Sequence, residues 1–220
     1  MTSHKCVLNT EAIEKIENEI GETIILDKDP TNKILDKFQK LLAKINKELK
    51  LPYKQYMDIY PSDAVPPRLY GTIKAHKPSK NYPARTIVST IGSPAYKVSK
   101  HLVKVIKPTL ENETVIKNAA EFVEEAKQWK ISPREVQVSF DVVAMYPSVP
   151  IKKAIVVIMD MLKADYNAVK TRTPFTLSHI KSLMELCLEN SYFLWNGKIH
   201  QLIDSGPIGL SLMVVVSSPS

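Results

Sequence analysis

Val136-Gln137-Val138-Ser139-Phe140-Asp141 runs directly into Val142-Val143-Ala144-Met145-Tyr146-Pro147-Ser148-Val149-Pro150, and the change of period across this stretch decides the fold class. Val136, Val138 and Phe140 alternate with Gln137, Ser139 and Asp141, which predicts a strand with one apolar face, one polar face and a carboxylate at its end. Past Pro147 and Pro150 the apolar residues Ile151, Ile155, Ile158, Met159 and Leu162 recur at helical spacing. A strand with one apolar face must be covered there, and the helix that follows is the nearest cover. The expectation is therefore α+β: an antiparallel sheet covered by helices on one face and open to a large ligand on the other.

Downstream, a second helix over 177–189 aligns Ile180, Leu183, Met184, Cys187 and Leu188. Asn196-Gly197, between the apolar runs 192–195 and 198–202, predicts a type I′ hairpin because both central residues adopt positive φ readily. Leu212 to Val216 form an apolar element that is expected to find nothing to pack on. Upstream, residues 61–94 hold six of the fifteen prolines, with β-formers Leu69, Tyr70, Thr72 and Ile73, then Thr86, Ile87 and Val88. Two short extended segments joined by the polar, basic stretch 75–83 are expected. Helical patterns cover 95–107 and 118–129, the latter with Ala119, Phe122, Val123 and Ala126 on one face. Near the start, Thr31 is placed to cap a helix that aligns Ile34, Phe38, Leu41, Leu42, Ile45 and Leu49, and an earlier helix over 10–20 would stop at Gly21.

Composition narrows the function classes. The chain has 220 residues, 44% of them hydrophobic, enough to bury roughly 70% of its unfolded surface. Cys6 and Cys187 give neither a disulfide framework nor metal-ligand spacing. No apolar run approaches the ~18 residues of a membrane span, and Glu11, Glu14, Glu17 and Glu19 stand where a signal peptide would be apolar, so an intracellular protein without a membrane partner is expected. Six glycines leave no phosphate-cradling loop of the dinucleotide or Walker type. The net charge of +7 is unevenly spread: residues 61–107 contain Arg68, Lys74, Lys77, Lys80, Arg85, Lys97, Lys100, Lys104 and Lys107 against Asp63 alone, a local +8. That concentration suits a polyanion.

By pattern alone, Asp141 reads first as an ordinary turn aspartate at a strand end, with a metal ligand on an open face as the alternative. The surrounding blocks add to this. Residues 139–150 closely resemble the first palm motif of reverse transcriptases, in the variant of the Penelope-like retroelements, a lineage related to telomerase. Pro67-Arg68-Leu69-Tyr70-Gly71-Thr72-Ile73-Lys74-Ala75-His76-Lys77-Pro78 and Pro83-Ala84-Arg85-Thr86-Ile87-Val88-Ser89-Thr90-Ile91-Gly92-Ser93-Pro94 resemble that group's fingers motifs. Asp29-Pro30-Thr31 and residues 190–201 are similar to it as well, so the resemblance runs from about residue 29 onward.

The resemblance implies a right-hand polymerase: a helical region over 1–60, fingers and connecting helices over 61–133, and a partial palm over 134–220. Nucleotidyl transfer of this kind uses two Mg²⁺ ions, about 4 Å apart, on the attacking and leaving oxygens. Asp141 would be the catalytic carboxylate and metal ligand, with the Val142 carbonyl beside it. Lys74 and Arg85 would grip the triphosphate of a dNTP, Lys77 competing for the first of these roles. Tyr146, five residues after Asp141, would lie beneath the incoming sugar and select deoxynucleotides by shape, unless it is a core tyrosine before Pro147. Gln201 would position nucleotide or template, or is an exposed glutamine at a hairpin end. Arg68, Lys97 and Lys100 would meet the RNA template and DNA primer.

Departures from the pattern are specific. In Ser205-Gly206-Pro207-Ile208-Gly209-Leu210-Ser211, Ile208 and Leu210 replace the family's Met and Ser, and Gly206 lies three residues before Gly209 rather than four. No aromatic-x-Asp-Asp hairpin occurs in the 220 residues, and Asp160, Asp165 and Asp204 do not substitute for it. The expectation is a reverse transcriptase fragment, truncated before that hairpin, the thumb and any GIY-YIG endonuclease, and inactive by itself. The rival is a non-catalytic nucleic-acid-binding remnant that keeps the basic surface, and a third outcome is an aggregating fragment with its apolar tail 210–216 exposed. The chemistry belongs with DNA in the nucleus, although no run of five Lys or Arg marks a nuclear signal.

Overall fold

Local chemistry and distant packing shape different parts of this molecule. The computed structural model describes residues 22–73, 84–110, 116, 118–140, 149–203 and 206–217. Among them, eight helices accompany one five-stranded sheet, an α+β arrangement. The chain runs β1 (Thr23–Leu26), α1 (Thr31–Leu49), α2 (Tyr53–Ile59), β2 (Arg68–Ile73), β3 (Ala84–Ser89), α3 (Tyr96–Leu110) and α4 (Ala119–Ala126). It continues with α5 (Ile151–Ala164), α6 (Tyr166–Arg172), α7 (Leu177–Leu188), β4 (Tyr192–Trp195), β5 (Lys198–Leu202) and α8 (Ser211–Val216).

The strands lie in the order β1-β5-β4-β2-β3. All neighbours are antiparallel except β2 and β4, which meet in parallel where Arg68 faces Leu194. The sheet is thus mixed, a correction to the antiparallel expectation. The exception arises because β2 and β4 come from separate hairpins, and Pro67 accepts the Leu194 N–H at 2.7 Å to stitch them together. The hairpin β4–β5 has the expected turn, with Asn196 at φ 46° and Gly197 at φ 75°.

Side chains alternate across β4 and β5. Tyr192 and Ile199 enter the main core with the helices, and Leu194 packs against it, whereas Phe193, Trp195 and Leu202 join Leu69 and Val88 in a second buried cluster, with Ile208 against it. The second face is therefore apolar too, rather than an open polar surface. The main core takes Ile34, Phe38, Leu42 and Ile45 from α1, Leu102, Val105 and Ile106 from α3, and the expected apolar stripes of α5 and α7.

Several expectations change. Residues 136–140 form no strand, and Val136 and Phe140 are 82% and 91% exposed. Alternation describes how a strand would be buried, but strand formation also needs a neighbour to pair with, and these residues have none among the described ones. The apolar face of α4 is likewise uncovered, although Asn118 caps the helix through Glu121 N and Phe122 stacks edge-on against Trp129. Conversely, α8 is not left bare: Leu212, Met213, Val215 and Val216 are buried in the main core, with α8 against α3 and α5. Thr31 is the first helical residue of α1, and Asp29 instead accepts its N–H at 2.8 Å. The helix α3 continues past Pro108 to Leu110. β1 has no counterpart in the sequence pattern, and the helix expected over 10–20 lies outside the described residues.

Candidate functional site

β2 and β3 pair along their full length, from Arg68 opposite Ser89 to Ile73 opposite Ala84, which sets Arg85 opposite Thr72. The β-formers on both segments favour this ladder, and the intervening stretch is rich in Lys and Pro. Lys74 and Lys77 belong to that stretch and lie outside the described residues, as do Asp141, Val142 and Tyr146. Among the described residues, no group of three or more His, Cys, Asp or Glu gathers that could hold a metal ion. No helix among them is long and apolar enough to cross a membrane.

Arg68 opens β2 with an exposed side chain, at the point where the sheet changes from antiparallel to parallel pairing. Gln201 sits on β5 between Tyr192 and Ile24 and is half-buried. The registers put Arg68 and Gln201 on one face of the sheet, two strands and two residues apart, roughly 12 Å by strand spacing. Lys97 and Lys100 occupy the exposed side of α3 and differ in their freedom. Lys97 Nζ donates to the Tyr60 carbonyl at 3.0 Å, tying α3 to the end of α2, while Lys100 Nζ lies 5.3 Å from the centre of the Tyr96 ring. Lys97 thus carries a structural bond as well as charge.

The turn 206–210 docks directly on the β2–β3 ribbon. Thr90 donates its hydroxyl to the Gly209 carbonyl at 3.2 Å. Gly209 has φ 80°, and a Cβ there would stand 1.8 Å from the Val88 carbonyl oxygen. This turn is fixed by a close backbone approach that only glycine permits.

The structure also joins two blocks that the sequence separates. The Tyr192 hydroxyl donates to Thr31 Oγ1 at 3.0 Å, and Thr31 in turn donates its hydroxyl to Asp29 Oδ1. Burial, assisted by the negative charge of Asp29, pushes the Tyr192 phenol up to about 12 despite its bond to Thr31. Beside this link is a cavity of about 140 Å³ lined in part by Lys33, Lys37, Asn190, Ser191, Tyr192 and Gln201. Of these, only Gln201 stands out from sequence. The available signal was the spacing of Lys33 and Lys37, one turn apart on the flank of the α1 apolar stripe. Comparison with protein-family models, curated proteins and solved structures finds no match to this chain.

Proposed function

We propose that this chain carries the fingers and first palm segment of an RNA-directed DNA polymerase of retroelement type. The observation that carries the reading is the ordered set of sequence blocks, 67–78, 83–94 and 139–150, each with a charged residue where nucleotidyl transfer needs one. The paired strands β2 and β3 support it, since they bring both fingers blocks into one ribbon. In this reading Asp141 and the Val142 carbonyl hold Mg²⁺, which would supply charge stabilisation at the reacting oxygens. Lys74, with Lys77 beside it, and Arg85 neutralise the triphosphate, Tyr146 excludes a 2′-hydroxyl, and Gln201 orients the base pair being formed.

Primer extension on an RNA template with Mg²⁺ and dNTPs tests this. A polypeptide of these 220 residues is expected to give no extension, because Asp141 lacks the partner carboxylates of a two-metal site. It is nevertheless expected to hold template–primer more tightly when dNTP is added, an effect lost in Arg85→Ala. Absence of any dNTP effect sinks the polymerase reading. Extension that disappears in Asp141→Asn would overturn only the expected inactivity.

A second reading has its own support in the exposed Arg68, Lys97 and Lys100 within a segment of charge +8. It is a nucleic-acid-binding protein that uses this basic surface without catalysis, recognising backbone phosphates and no particular sequence.

A further inference from the structure

Four of the nine tyrosines gather on α2 and at the start of α3. Tyr53, Tyr56 and Tyr60 recur at i, i+3 and i+7 and so share one side of α2, whereas Ile59, the buried residue of that helix, lies on another. Tyr96 is the first residue of α3. We infer that these rings, together with the lysines of α3, bind single-stranded nucleic acid by stacking on its unpaired bases. The inference rests on the second reading above and deepens it, adding bases to a surface that would otherwise meet phosphates alone.

Charge is the first argument. Lys97, Lys100, Lys104 and Lys107 are exposed and recur at i, i+3, i+7 and i+10, on the side of α3 opposite the buried Val98, Leu102, Val105 and Ile106. The row covers roughly 15 Å at the helical rise of about 1.5 Å per residue. α3 contains no acidic residue, and Asp58 and Asp63 are the only acids over residues 50–110. Cations set out along a line suit a chain of phosphates better than one compact anion.

The rings are the second argument, and they do not depend on the charge. Tyr53 is 79% exposed, while Tyr56 and Tyr60 are half-buried against the main core. The Tyr56 and Tyr60 rings stand 5.1 Å apart at 42° to each other. One exposed ring needs no explanation; a row of three beside a row of lysines does. Contact with the core already fixes two of the rings, so little rotamer freedom is lost when a base stacks on them. The two rows also meet. The bond from Lys97 Nζ to the Tyr60 carbonyl joins the end of the tyrosine row to the start of the lysine row.

The pairing of rings with cations selects the partner. Bases inside a duplex are stacked on one another and offer no free face, whereas each base of an unpaired strand offers one whatever its identity. The lysines would then follow the backbone and the tyrosines hold the bases.

The test is fluorescence anisotropy of the full chain with labelled oligo(dT) and with an abasic deoxyribose-phosphate strand of the same length and charge. Oligo(dT) is expected to bind at least fivefold more tightly than the abasic strand, an advantage lost in Tyr53→Ala, kept in Tyr53→Trp and untouched in Tyr166→Ala, which removes a lysine-paired tyrosine on α6. Circular dichroism should show the same fold for all three variants. Lys104→Gln/Lys107→Gln is expected to weaken both strands alike and to lower the salt slope by about 1 to 2. Equal binding of the two strands, or an oligo(dT) advantage that survives in Tyr53→Ala, overturns the inference and leaves the backbone reading standing. A duplex that displaces oligo(dT) at equal phosphate concentration also overturns it. No binding of either strand removes the inference and the reading together, and if phosphatidylserine vesicles then bind, the surface belongs to an anionic membrane.

Discussion

Thr31 and Tyr192 are 161 positions apart, and one buried hydrogen bond joins them. Tyr192→Phe removes that bond while keeping the ring, and the expected loss is about 1 kcal/mol in urea unfolding at pH 7. The same residue gives an alkaline signature. Because burial raises the folded phenol from 10.0 to about 12, the folded state holds its proton more tightly than the unfolded chain does. Its contribution is complete below pH 10 and is lost as pH rises toward 12, so Tyr192→Phe should lose less stability than wild type across that window. Asp165 behaves oppositely. The Thr109 hydroxyl, donating at 2.8 Å, is the main cause that holds its carboxyl below the ordinary value; partial burial opposes this, and the Arg172 guanidinium adds to it. Arg172 also donates to the Val105 carbonyl at 2.8 Å, so the group clamps α6 to α3. The stabilisation is present above the unfolded carboxyl value and declines as pH falls through the folded one. Acid unfolding of Asp165→Asn, followed by circular dichroism, should therefore lack part of the wild-type decline below about pH 4.

Two glycines with nearly the same backbone angle have different work within their elements. Gly197, at φ 75°, has nothing within 4 Å of an added Cβ, whereas at Gly209, φ 80°, that atom would strike the Val88 carbonyl. Gly197→Ala should cost about 1 kcal/mol, the price of a left-handed alanine. Gly209→Ala should cost about 3 kcal/mol or more, because the turn must leave β3 to make room. Denaturant midpoints of the two variants check the contrast, and equal losses would mean that the turn does not dock as described. The difference also explains what was legible beforehand. The hairpin at Asn196-Gly197 was readable because its cause is local, and so were the apolar stripes of α1, α5 and α7 and the two extended segments that became β2 and β3. Gly209 was visible only as a motif glycine, since Val88 lies 121 positions away. The strand expected over 136–140 failed for the same reason in reverse: a perfect local pattern has no partner to pair with among the described residues. β1, the parallel contact of β2 with β4, and the cover over α8 all depend on partners far along the chain. At the site, Arg68, Lys97 and Lys100 are exposed, but the walls of the cavity could not be paired from sequence.

At the scale of the molecule, residues 61–107 carry +8 and the other 173 residues sum to −1. Binding to single-stranded RNA or DNA is therefore expected to be insensitive to sequence and steeply dependent on salt. If about five of the nine basic residues meet phosphates, the log–log slope should be roughly −3.5. Filter binding from low to moderate salt measures it, with Arg68→Gln/Lys100→Gln expected to flatten the slope and Asp141→Asn to leave it unchanged. A slope near zero would remove nucleic acid as the partner of this surface. The sheet has one more consequence, for the order in which the chain matures. β1 pairs with β5, so Ile25 must wait for His200, about 175 residues later, before its neighbour exists. At ribosomal speeds of 5–20 residues per second that wait is roughly 10 to 35 s. Throughout it the nascent chain presents Ile24, Ile25 and an unpaired strand edge, and β1 joins the sheet only when β5, its last strand in sequence, arrives between β1 and β4. Synthesis rate and chaperone occupancy during that interval, more than the stability of the finished sheet, then govern how much of the chain reaches this fold.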